Sequence, residues 1–110
     1  MAASEYALKQ FGFRTTVVVN PLVSSVGTSV VKVLSQNPDR IEWLIMNLSA
    51  NTVYLAYGPD VSSSKGMVLA ANGGSAVSKV TEDGEAVAYE VWAIASGLSS
   101  SIYVVEYVRS

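Results

Sequence analysis

Residues 40–58 read RIEWLIMNLSANTVYLAYG, two strand-like runs around a short polar break, with apolar residues on both faces of each run. Strand side chains alternate sides, so Ile41, Trp43 and Ile45 point one way while Leu44, Met46 and Leu48 point the other. A second sheet of the same domain covers one such face. The remaining apolar face is most simply covered by another copy or a partner, because a large apolar patch left in water marks a contact site. Two later runs repeat the pattern. Ile102, Val104, Glu106 and Val108 oppose Tyr103, Val105 and Tyr107, and Val91, Ala93 and Ala95 oppose Trp92 and Ile94.

From Arg14 onward strand follows strand, in segments rich in Val, Ile, Thr and Tyr. The pattern predicts strands over 14–19, 28–34, 40–48, 52–57, 67–70, 75–81, 89–95 and 101–108. Breaks fall at Asn20-Pro21, Asn37-Pro38-Asp39, Ser49-Ala50-Asn51, Gly58-Pro59-Asp60, Asn72-Gly73-Gly74, Asp83-Gly84 and Gly97, residue types that turns require for backbone reasons. About eight short strands with no long helical pattern predict an all-β fold, an antiparallel β-sandwich of jelly-roll-like form spanning 14–110. Residues 1–13 differ. Ser4 can cap a short helical turn through Ala7 and Leu8, yet a helix this short is marginal alone. Three rings, Tyr6, Phe11 and Phe13, favour an N-terminal arm that orders against a neighbour; a frayed terminus is the plainer alternative.

Composition narrows the function classes. Half of the 110 residues are hydrophobic and 15% are charged, against roughly 25% in ordinary soluble domains. The seven basic residues, Lys9, Arg14, Lys32, Arg40, Lys65, Lys79 and Arg109, are scattered, and the net charge is −2, so nucleic acid is not an expected partner. The chain has no histidine and no cysteine, which removes the commonest general base, the commonest metal ligand and any disulfide. No secretion signal is recognisable at the start and no run approaches the roughly 18 apolar residues of a membrane span, so a soluble protein beginning near Met1 is expected.

Candidate chemistry is sparse. Ser62-Ser63-Ser64-Lys65 matches the S-x-x-K pattern of acyl-transfer enzymes, but it lies in a loop, where the spacing does not bring Lys65 to Ser62. Glu82, Asp83 and Glu85, with Glu90 near, supply carboxylates for calcium, while a tight hairpin around Asp83-Gly84 is the expected structure. Trp43, Tyr54, Tyr57, Trp92, Tyr103 and Tyr107 suit a core, a subunit interface or a sugar-stacking platform. Asn47-Leu48-Ser49 is a glycosylation sequon by pattern only. Asn47 itself ends an apolar run, and a buried amide needs partners, so it is expected to tie down the following turn.

A family resemblance runs through residues 40–106. Arg40, then Leu44-Ile45-Met46-Asn47-Leu48-Ser49, Val53-Tyr54-Leu55, Gly66-Met67-Val68-Leu69, Gly73-Gly74, Glu82-Asp83 and Trp92-Ala93-Ile94-Ala95, closing on Val104 and Glu106, resembles small β-sandwich virion proteins of tailed phages and related viruses. The resemblance implies a structural role without an active site, as a capsid decoration or cementing protein or a small tail component, often trimeric. It places the protein in the virion, with like subunits and capsid proteins as partners and no cofactor.

The expected mechanism is burial. The sheet face bearing Trp43 or Trp92 meets like subunits, the arm reaches over a neighbour, and Tyr6, Phe11, Phe13, Trp43, Tyr54, Tyr57, Trp92, Tyr103 and Tyr107 are the candidate interface residues. A carbohydrate- or cell-surface-binding module is the alternative from another class.

Overall fold

The structure is a computed structural model that describes residues 15–19 and 25–109. The strands are β1 (Thr15–Val19), β2 (Ser25–Val26), β3 (Val31–Leu34), β4 (Arg40–Asn47), β5 (Val53–Ala56), β6 (Met67–Leu69), β7 (Ser75–Lys79), β8 (Val91–Ala95) and β9 (Ser100–Arg109). They form two antiparallel sheets, one ordered β1-β9-β4-β7 with β2 also on β9, the other β3-β8-β5-β6. β1 and β2 share one edge of β9, since Val19 faces Val105 and Ser25 faces Ser101. Counted together they give an eight-stranded jelly roll. Within 25–109 only β5 and β6 are consecutive strands paired in one sheet; every other connection crosses the sandwich. The expected all-β sandwich is therefore the fold.

The strand alternation is what fills the space between the sheets. Trp43 and Ile45 of β4 and Ile102 and Val104 of β9 face Val33, Leu34, Val53, Leu55, Leu69, Val91 and Ala93 of the other sheet, closed off by Val26 and Val87. Each large side chain so buried contributes roughly 1.5 to 3 kcal/mol. Trp43 is 1% exposed, so it belongs to this core and has no surface to give a partner, contrary to the expected interface role. Its Nε1 makes no hydrogen bond among the described residues.

Two local features depart from the sequence pattern. Between Arg40 and Glu42 the register on β9 shifts, an extra residue that bends β4 and re-aims Arg40. By alternation Arg40 would share the outer face with Glu42 and Leu44; instead it is buried. The second is the expected hairpin at Asp83-Gly84, which is absent. A helical turn α1 (Val80–Asp83) runs into a 3-10 segment Gly84–Ala88, with Gly84 at φ 61°, a conformation costly for a residue with a Cβ. Asp83 Oδ2 accepts hydrogen bonds from Ser78 Oγ (2.9 Å) and Lys79 N (3.1 Å), so the carboxylate stabilises the start of α1. The crossover from β7 to β8 changes sheets, which a tight hairpin cannot do.

Candidate interaction surfaces

The outer face of the β1-β9-β4-β7 sheet is built in cross-strand rows. One row runs Val105, Leu44, Val77; the next runs Tyr103, Met46, Ser75; a third runs Val17, Tyr107, Glu42, Lys79. Val17 is 58% exposed, Val77 47% and Tyr103 43%. Leu44, Met46 and Tyr107 are half-buried between them. Directly opposed side chains on adjacent strands touch, so these residues form an apolar field around Val105, which is itself buried at 5% exposure, and the charges Glu42 and Lys79 sit together at one margin.

The outer face of the β3-β8-β5-β6 sheet carries Trp92 and Ile94 of β8, Tyr54 and Ala56 of β5 and the exposed Val68 of β6. Here the largest ring is already engaged. Lys32 Nζ stands 5.5 Å from the Trp92 ring centroid and 3.5 Å from Glu90 Oε2, while Trp92 Nε1 donates to Glu90 Oε1 at 3.1 Å. This cation–π and carboxylate cluster occupies the ring that a stacking sugar would need.

At one end of the sandwich the buried Arg40 gathers three segments. Its Nε donates to Glu106 Oε1 at 2.6 Å, Nη1 to the carbonyls of Val87 (3.2 Å) and Tyr89 (3.1 Å), and Nη2 to that of Ser35 (2.6 Å). Beside it lies a cleft of about 480 Å³ between Gln36 and Pro38 on one side and Val80, Glu85 and Ala88 on the other. Every guanidinium nitrogen is engaged by a protein acceptor and the charge is paired with Glu106, which makes Arg40 a poor site for an incoming anion. Also at this end, Lys65 pairs with Asp60 and holds its carboxyl below the usual 3.8 through hydrogen bonding and charge. Ser62 Oγ meets Ser64 Oγ, so the S-x-x-K spacing makes no serine–lysine dyad.

The opposite end is organised by Asn47, fully buried. Its Nδ2 donates to the carbonyls of Asn51 (2.7 Å), Leu69 (3.1 Å) and Ala70 (3.2 Å), and its Oδ1 accepts from Ser49 N (2.9 Å) and Ser49 Oγ (2.7 Å). Asn47 thus ties the β4–β5 turn, as its sequence context implied, and the β6–β7 turn besides. That second turn needs its glycine, since a Cβ on Gly74 would lie 2.3 Å from Ala70 N.

The candidate aromatic residues do not converge. Tyr103 and Tyr107 lie on one outer face and Tyr54 and Trp92 on the other. Tyr57 meets Tyr89 edge-on at 5.9 Å between ring centroids. Tyr6, Phe11 and Phe13 lie outside the described residues, as does the arm that they suggest. Sequence reasoning missed Val17 and Val77 because aromatic character drew the choice, whereas strand pairing decides which aliphatic residues join a surface. Among the described residues no cluster of three or more acidic side chains could hold a metal. No protein-family model matches the chain, and no curated protein matches it.

Proposed function

We propose that the protein is a non-enzymatic structural component of a virion, a capsid decoration or stabilising subunit that packs against like subunits and the shell. The observation that carries this reading is the apolar field across β1, β9, β4 and β7, with Val17, Val77 and Tyr103 each more than two-fifths exposed. Such a face lowers free energy only when something covers it. The low charge content and the resemblance over residues 40–106 support the same reading. The carbohydrate alternative loses support from Lys32 standing over Trp92.

The test is imaging of purified particles made with and without the protein. Regular density at shell positions, lost when Val77 and Tyr103 are both changed to Glu while the free variant keeps its melting temperature, is the expected outcome. A protein absent from the particles defeats the proposal.

A further inference from the structure

The chain alternates between charged and uncharged stretches, and the fold sorts them to opposite ends. Residues 15–31, 43–59, 66–78 and 91–105 contain no Asp, Glu, Lys or Arg, whereas 32–42, 60–65, 79–90 and 106–109 hold every charge of the described region. Each uncharged stretch contains one of four turns: 27–30, 48–52, 70–74 and 96–99. Strand pairing puts those four turns at the same end, because Val26 pairs with Ser100, Asn47 with Ile102, and Val53 with both Leu69 and Ala95. The end therefore presents Ser, Thr, Asn, Gly and Ala around two exposed leucines, Leu48 at 54% and Leu98 at 75%.

This surface is held in shape before any partner arrives. Leu48 N donates to Ser101 O, Asn72 N to Ser49 O and Ser96 N to Thr52 O, all within 2.9 Å, and Asn51 Nδ2 reaches Ser100 Oγ at 3.0 Å. Leu98 leans over Gly27, its Cδ2 3.8 Å from where a Cβ would stand. A preordered surface forfeits little conformational entropy on binding.

We infer that this charge-free end is where copies of the chain meet around a symmetry axis. Near a rotation axis a residue faces its own symmetry mates, so any charge there meets a like charge. The end is about 10 Å deep and about 19 Å wide across four strands. A charge placed on it lies within a small multiple of the roughly 8 Å screening length of its mates. An uncharged end with exposed leucines satisfies that constraint; the opposite end, bearing Asp39, Glu82, Asp83 and Glu85, does not. A partner of different sequence imposes no such exclusion, since complementary charge would serve it better. The inference rests on the reading of the protein as an assembling subunit, and it leaves the apolar sheet face free for the shell.

Sedimentation equilibrium of the full chain tests it. The unmodified protein is expected as an oligomer, and Leu98→Asp or Leu48→Asp as the mass of one chain with an unchanged far-ultraviolet spectrum. Mixing Leu98→Asp with Leu98→Lys copies should restore the oligomer, because opposite charges then meet across the axis. An oligomer that survives both Asp variants, or one that Val77→Glu dissociates and Leu98→Asp does not, overturns the inference. Neither result touches the virion reading, which particle imaging decides separately. An unmodified chain that stays monomeric at the highest soluble concentration also overturns it.

Discussion

Asn47 and Arg40 occupy the two ends of the same strand, both buried, and each gathers neighbouring loops by donating to backbone carbonyls. At the Asn47 end the donor is a neutral amide, and Ser49 completes the network from the same turn. At the Arg40 end the donor is a cation that needs Glu106, and it ties the β3–β4 loop to the 3-10 segment. The difference teaches what each end is for. A neutral knot permits an uncharged surface above it, while an ion pair sits naturally among the acidic and basic residues of the other end.

The largest way to break this contrast is Arg40→Ala. It leaves Glu106 buried without its guanidinium partner and orphans three carbonyls, so a loss of about 3 to 5 kcal/mol is expected in urea denaturation. Replacing Arg40 and Glu106 together by Met should recover part of that loss, because the buried carboxylate is then removed along with its guanidinium. A double variant no better than the single one shows that the carbonyl contacts, not the ion pair, hold that end.

Next in size is Asn47→Ala, expected to cost about 3 kcal/mol through the stranded carbonyls of Asn51, Leu69 and Ala70. Hydrogen exchange should rise in residues 48–52 and 70–74 and stay unchanged around Arg40. Equal loosening at both ends contradicts the picture of two independent knots.

Asp83→Ala removes the acceptor for Ser78 Oγ and Lys79 N, and about 1 kcal/mol is expected, the size of a lost helix cap. The smallest effect concerns Asp60. Its carboxyl titrates below 3.8 because Lys65 bonds to it and favours the charged form. A depressed folded value means that this contribution is present above the unfolded value and fades as pH falls through the folded one. Carbon-detected NMR titration should show the midpoint rising toward 3.8 in Lys65→Ala. The neutral-pH melting temperature of that variant should not move measurably, since the pair is exposed.

Much of the fold was legible beforehand, and particular residues show why. Val, Ile and Tyr alternation located β4, β5, β8 and β9 to within a residue or two, because each strand has one face that must be dry. Among the described residues only the two-residue β2 was missed, having too few positions to display a period. Asn47 was readable as a tie because a polar residue closing an apolar run has few other fates. The pairing of Arg40 with Glu106 was not readable, since it depends on a bulge that reverses the side on which Arg40 falls.

Taken alone, the sequence determined the class of fold, most of the described turns and the presence of apolar residues on both faces of its strands, all of which follow from local periodicity and backbone preference. The tertiary structure alone decided which of those faces is core, assigning Trp43 to the interior and Leu44 and Met46 to the surface. It also decided the meaning of charges that look scattered along the chain. Each strand carries the chain from one end of the sandwich to the other, so turns about two dozen residues apart return to the same end, and among the described residues a one-dimensional alternation of charge becomes one charged end and one without.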